Sequence, residues 1–195
     1  MRKSVRGRIH SSGLIKSWLE QLRRREQMLI RGPERWPLLL LSYPGRDAAV
    51  AEELREAWLY TLPSLTAAKP YLPTLERLPA IIVVLLRAHN VCTCLGHHHM
   101  RGTESRLTRR LAADMGSEAG EIDLAWEAIR EWRPHPLTTM RAEAFEEAHF
   151  RTGLLAVLLH ELEHLAYPDH QERAVRHASD DFYREALLEI VEVAR

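Results

Sequence analysis

The pentapeptide His160-Glu161-Leu162-Glu163-His164 has the spacing of a zinc-hydrolase active site. On an α-helix, residues four apart share one face, so the imidazoles of His160 and His164 can bind the same metal ion. Glu161 lies beside them and is placed to act as the general base that takes a proton from a zinc-activated water. The motif therefore predicts a catalytic Zn²⁺ site built from these three residues.

The residues that precede the motif favour a real site over a chance match. Residues 153–159 read Gly-Leu-Leu-Ala-Val-Leu-Leu and are apolar on every side of a helix. A helix of this kind is buried in a protein core. It would carry both histidines inward, where a solvated pair of histidines is not expected.

A third zinc ligand is expected beyond the helix break at Pro168, because catalytic zinc usually takes three protein ligands and a water. His177 is the preferred candidate, since it comes just before the predicted start of the final helix and could be held against the metal helix. The alternatives that follow the same break are His170, Glu185 and Glu189.

Two segments, Leu158–His164 and Arg176–Phe182, resemble the SprT-like zincins, most of all the phage and prophage metallopeptidases among them. In that family, an H-E-x-x-H helix is followed by a loop and a histidine that precedes an acidic and then aromatic helix start. The resemblance covers the C-terminal part of the chain. It implies that the zinc ligands are His160, His164 and His177, and that Glu161 is the catalytic base.

A second resemblance points to a different enzyme class. The spacing of His160, His164 and His170 is similar to that of the YbeY-type metal-dependent endoribonucleases, whose Gly-Tyr-Asp-His ending is close to the segment Tyr167–His170. Those proteins usually have glycine where this chain has Glu161, and the glutamate favours a peptidase. Metzincins share the spacing too, but tyrosine replaces their turn glycine here. A zinc-stabilised binding module without turnover is the remaining alternative.

Further potential metal ligands lie in residues 92–99, which read Cys-Thr-Cys-Leu-Gly-His-His-His. The spacing fits no standard zinc finger, so we expect a loop or hairpin with His97–His99 exposed rather than a second metal site. Cys92 and Cys94 are separated by one residue, which disfavours an unstrained disulfide. Reduced thiols at both positions would suit a cytosolic protein.

The apolar patterns predict an α+β, zincin-like fold in which a small mixed sheet with an edge strand packs on the buried motif helix. The predicted helices cover residues 11–31, 47–62, 103–115, 125–132, 138–167 and 179 onward, and the predicted strands cover 80–87 and 121–124. The alternating strand 121–124 is expected to be half-exposed, so an extended peptide could add to such an edge strand. Four prolines in residues 63–79 separate an N-terminal helical extension (1–75) from a catalytic domain (76–195).

Composition excludes several other classes of function. The formal net charge is zero, so no overall positive charge points to nucleic acid as a partner. A peptide or protein is the expected substrate of the peptidase that the motif and the first resemblance indicate. The basic N-terminus is not followed by the apolar run of a signal peptide, and the apolar runs are too short to span a bilayer. We therefore expect no membrane partner and a cytoplasmic location.

Overall fold

The computed structural model describes residues 25–89, 94–134 and 143–193, which form a mixed α+β structure around a five-stranded sheet. The strands are β1 (Arg25–Arg31), β2 (Leu38–Pro44), β3 (Ile81–Arg87), β4 (Gly96–His98) and β5 (Ala119–Ala125). Their order is β1-β2-β3-β5-β4, with parallel pairing between β2, β3 and β5 and antiparallel pairing of β1 and β4 with their neighbours. The three-residue strand β4 therefore lies at one edge.

Six helices accompany the sheet in the described residues. They are α1 (Ala48–Glu56), α2 (Leu72–Leu75), α3 (Arg106–Met115), α4 (Trp126–Glu131), α5 (Glu143–Ala166) and α6 (Glu172–Val193). Helix α1 continues without a break through a π-turn (Ala57–Thr61) and a last turn (Leu62–Ser64), and short 3₁₀ turns cover Gly45–Asp47 and Thr66–Tyr71. In the part of the chain that the structure describes, no helix is both long enough and apolar enough to cross a membrane.

The motif helix α5 is buried as its sequence predicts. It is 24 residues long, and its middle section packs against the sheet and against α6. Five leucines of this helix are fully buried in the core: Leu154, Leu155, Leu158, Leu159 and Leu162. The helix ends before Pro168, because the pyrrolidine ring cannot continue a helix. Its expected start near Thr138 or Thr139 lies outside the described residues.

Strand β3 also forms where the sequence predicts it. Residues 81–86 are all buried, and both neighbours of β3 are parallel strands. Strands buried on both faces read as continuous apolar runs rather than alternating ones. Helices α1, α3 and α4 likewise confirm predicted helices, with Ser105 capping α3 through its Oγ and Gly116 ending α3 in the left-handed conformation (φ 61°).

The prediction of a first helix through residue 31 is wrong for its last turns. Residues 25–31 form β1, in which Leu29 is 61% exposed and the next residue, Ile30, is buried. This alternation is that of a strand, and β1 is held by antiparallel pairing with β2. The rest of that predicted helix, residues 11–24, lies outside the described residues.

The sheet crosses the predicted domain boundary at residue 75. Strands β2 and β3 lie on opposite sides of that boundary and are hydrogen-bonded neighbours. One hydrophobic core also joins residues from both sides, among them Trp58 and Leu159. The described part of residues 1–75 is therefore built into the sheet and is not a purely helical extension.

The predicted half-exposed edge strand, residues 121–124, is an interior strand. β5 lies between β3 and β4, and the edge position belongs to β4. Of the polar side chains that suggested exposure, Glu121 is buried and Asp123 is 13% exposed, and both have partners. Glu121 accepts hydrogen bonds from Ser105 and Thr108, and Asp123 forms an ion pair with Arg87 at 3.1 Å.

Between α5 and α6, His149 is fully buried and held in one protonation state. Arg133 donates to its Nε2, so this nitrogen carries a lone pair and Nδ1–H donates to the hydroxyl of Tyr183. Burial, and next the charge of Arg133, lower the pKa of His149 below its ordinary value. Both the Arg133 contact and burial therefore favour the neutral ring of His149 in the folded protein.

The free energy of unfolding should fall as the pH drops through the ordinary histidine range, about 6.5. Below that pH the unfolded chain binds a proton at His149 that the folded protein does not bind, so acid favours unfolding. Urea titrations between pH 7 and 5 should show this slope, and His149→Gln should reduce it. His89→Gln, at a largely exposed histidine, is the matched control. An equal slope in His149→Gln and wild type would contradict the assignment.

Candidate metal centre

Three side chains from α5 and α6 bring ligand atoms together at the end of the motif helix. They are His160, His164 and Glu172, and their ligand atoms all lie within 4.8 Å of one another. The two histidines are one helical turn apart, with ring centroids separated by 5.0 Å. Glu172 is the first residue of α6, so the short connection between the helices places it opposite them.

The distances within this cluster suit a tetrahedral zinc ion. Oε2 of Glu172 lies 3.0 Å from Nε2 of His164 and 3.5 Å from Nε2 of His160. Ligand atoms about 2.1 Å from a tetrahedral ion are about 3.4 Å apart. Two imidazole nitrogens and one carboxylate oxygen are also a common catalytic zinc set. The described residues therefore fit zinc without a large rearrangement.

Ser179 fixes the ring of His160 from α6. Its Oγ donates to the carbonyl of Arg176 at 2.9 Å, so it accepts a hydrogen bond from Nδ1–H of His160 at 3.2 Å. This contact leaves the lone pair of Nε2 directed at the cluster, as a metal ligand requires. Burial also lowers the pKa of His160, which favours the neutral ring that can bind a metal.

The two oxygens of Glu172 have separate partners. Oε2 faces the histidines, while Oε1 accepts a hydrogen bond from Arg176 at 2.8 Å. Burial alone would raise the pKa of Glu172, but the Arg176 hydrogen bond and the two histidines outweigh it and lower the pKa. Glu172 is therefore ionised at neutral pH, as a carboxylate ligand must be.

Glu161 lies next to the cluster and is nearly buried, with 8% of its side chain exposed. It lines a cavity of about 760 Å³ together with His160, His164 and Glu172. Residues 94–98, which include edge strand β4, line the same cavity. A candidate base, a candidate metal centre and a strand edge thus share one cleft.

The structure does not bring His177 to the cluster. Its side chain is 78% exposed and its Nδ1 lies 2.9 Å from a carboxylate oxygen of Asp181, one turn further along α6. The reason is the start of α6: the helix begins at Glu172, seven residues before the predicted cap at Ser179. This start turns His177 toward solvent, and Glu172 takes its expected place in the cluster.

His170 lies near the motif helix but is bound elsewhere. Its Nδ1 is 3.0 Å from Oε1 of Glu163, and its ring stacks on Tyr167 at 4.5 Å. Thr74 of α2 donates to the other oxygen of Glu163 at 2.5 Å. His170 and Tyr167 therefore help to close the end of α5, and the ligand set of the ribonuclease-type alternative is not assembled.

The cysteine and histidine segment forms no second cluster in the described residues. Cys94 is disulfide-bonded, which corrects the prediction of a reduced thiol there; Cys92 lies outside the described residues. The ring of His97 lies near those of both neighbours, with centroids 5.9 Å from His98 and 5.2 Å from His99. Nε2 of His99 lies 3.5 Å and 3.6 Å from carboxylate oxygens of Asp123 and Glu121.

Replacing Ser179 by alanine should weaken zinc binding by about 10- to 100-fold, the usual effect of removing a hydrogen bond that orients a ligand histidine. Competition titration with a zinc chelator would measure the affinity. Ser64→Ala is the matched control, because Ser64 makes the same bond to a carbonyl three residues back but lies at the end of the α1 region. Equal zinc affinity in Ser179→Ala and wild type would show that Ser179 does not orient a zinc ligand.

Sequence reasoning missed Glu172, Ser179 in its ligand-orienting role, and His98, whose ring stacks on that of His164. A usable signal for the first two was the helical spacing of Glu172, Arg176 and Ser179, which places them on one face of a helix that begins before residue 179.

Comparison with known proteins adds nothing to this geometry: no family model, curated protein or solved structure gives a significant match to the chain.

Proposed function

We propose that the protein is a zinc-dependent metallopeptidase with Glu161 as its general base. The observation that carries this proposal is the convergence of two imidazole Nε2 atoms on one oxygen of Glu172, at 3.0 and 3.5 Å, beside a buried glutamate. The proposed ligands are His160, His164 and Glu172. The SprT-like and zincin-like assignments remain predictions, and so does a cytoplasmic location.

Zinc bound at this cluster would lower the pKa of a coordinated water and polarise the scissile carbonyl. Glu161 would take a proton from the attacking water and deliver it to the leaving amine, because its carboxylate borders the same cleft. Ser179 and Arg176 would hold His160 and Glu172 in the orientations described above.

Strand β4 supplies a place for an extended peptide. Among the residues that the structure describes, β4 pairs with β5 alone, and residues 94–98 line the cleft that contains Glu161. A peptide that adds to the other edge would gain main-chain hydrogen bonds and cross the candidate metal centre. This supports a peptide or protein substrate, as the sequence predicts.

The proposal is tested by zinc content and hydrolysis on tag-free protein. We expect about one zinc per chain by elemental analysis, together with cleavage of a fluorescently labelled casein. Removal of the metal with a chelator should abolish cleavage, and addition of zinc should restore it. A chain that binds no zinc after reconstitution would overturn the proposal.

A further inference from the structure

His98 brings the sheet into contact with the proposed base. Its Nδ1 lies 2.9 Å from Oε2 of Glu161, although the two residues are 63 positions apart in the chain. Its ring also stacks on that of His164, with centroids 5.0 Å apart and planes 22° from parallel. One side chain of β4 therefore contacts both the base and a proposed zinc ligand.

Gly96, two residues before His98 on the same face of β4, allows this contact to be close. A Cβ at Gly96 would lie 2.8 Å from both Cγ and Oε1 of Glu161, and 2.7 Å from Cγ1 of Val157. The strand backbone thus lies directly against the glutamate side chain. Glu161 is confined on one side by Gly96 and on the other by its own helix, so its carboxylate has little freedom to turn away.

The hydrogen bond between His98 and Glu161 fixes the tautomer of the histidine and the role of each carboxylate oxygen. An ionised carboxylate only accepts hydrogen bonds, so Nδ1 of His98 must carry the hydrogen and donate it to Oε2 of Glu161. This leaves Oε1 of Glu161 as the oxygen that can take a proton from water. The contact is well shielded, because 8% of the Glu161 side chain and 27% of the His98 side chain are exposed.

We infer that His98 is a positioning residue for the general base: through its Nδ1–H it holds the Glu161 carboxylate in the orientation needed for proton transfer. The inference rests on the proposed function. It also gives a role to one histidine of the His97–His99 run that requires no second metal site. A base misplaced by about 1 Å can cost about 10²-fold in rate.

Three substitutions separate the hydrogen bond from stacking and bulk. His98→Phe keeps a flat ring but has no donor, His98→Asn places an amide N–H near the position of Nδ1, and His98→Gln places it further out. We expect kcat to fall by about 10²-fold in His98→Phe, with KM and zinc content unchanged. His98→Asn should recover most of this loss and His98→Gln less. Equal kcat in the Phe and Asn variants, or loss of zinc in the Phe variant, would overturn the inference.

A second readout needs neither zinc nor a substrate. In metal-free protein labelled with ¹⁵N, the imidazole signals that disappear in His98→Asn belong to His98. We expect them to show hydrogen on Nδ1 in wild type, and on Nε2 once Glu161→Ala removes the acceptor. Hydrogen on Nε2 in wild type would overturn the inference. If the peptidase proposal alone fails, hydrolysis is absent in every variant while the Nδ1–H signature remains in wild type.

Discussion

Replacing Glu161 by glutamine should lower kcat/KM for peptide hydrolysis by about 10²- to 10⁴-fold, the usual contribution of a general base. Glutamine has nearly the same shape but cannot accept the proton. Zinc content should stay at the wild-type level, because Glu161 is not among the three residues whose ligand atoms converge. Steady-state kinetics and elemental analysis on the same preparation would measure both quantities.

The matched control for this substitution is Glu163→Gln, in the same motif and one helical position before His164. Glu163 faces Thr74 and His170 instead of the cleft, so its loss should leave the rate within a few-fold of wild type. Equal rates in Glu161→Gln and wild type would contradict a peptidase mechanism. Equal rates in a variant that retains its zinc would favour the alternative of a zinc-stabilised binding module without turnover.

Replacing Glu172 by glutamine should weaken zinc binding by more than about 100-fold, since loss of a direct ligand exceeds the loss expected for its hydrogen-bond partners. A neutral amide is a much weaker zinc ligand than a carboxylate. The side chain that also bridges to Arg176 would keep its size, so folding should be little affected. Competition with a chelator would give the affinities, and circular dichroism would check the fold.

Three variants make this second prediction specific. Glu185→Gln changes the same residue type on the same helix, and His177→Ala and His170→Ala remove the two histidines that the sequence offers as third ligands. All three should bind zinc within about twofold of wild type, because their side chains lie outside the cluster. If His177→Ala loses zinc and Glu172→Gln does not, the third ligand is the one that the SprT-like resemblance implies.

The local part of the candidate site could be predicted from the sequence, and the part that depends on helix boundaries could not. His160, Glu161 and His164 are placed by one helical turn, whose geometry does not depend on the rest of the fold. Glu172 depends on where α6 begins. Ser179, followed by two aspartates, has the composition of a helix start, yet it lies within α6 and is buried.

The strands of the sheet divide in the same way, into those that a local pattern predicts and those that depend on tertiary pairing. Strand β3 could be predicted because it is a continuous apolar run with prolines before it. Strand β2 was missed because a leucine-rich segment fits a helix as well as a strand, and β1 because its one leucine fits the apolar stripe of the predicted first helix. The pairing of the two strands is what makes them strands. Strand β4 has three residues, too few for any periodicity, so its place at the edge beside Glu161 is a property of the tertiary fold.

The close spacing of the proposed ligands along the chain suggests an order of assembly during folding. Glu172 follows His164 by 8 residues, so the ligand set needs only the α5–α6 hairpin and a short loop closure. The contact between His98 and Glu161 spans 63 residues and forms only when β4 has joined the sheet and packed on α5. On the proposed function, the ligand set would thus form earlier in folding than the contact that positions the base.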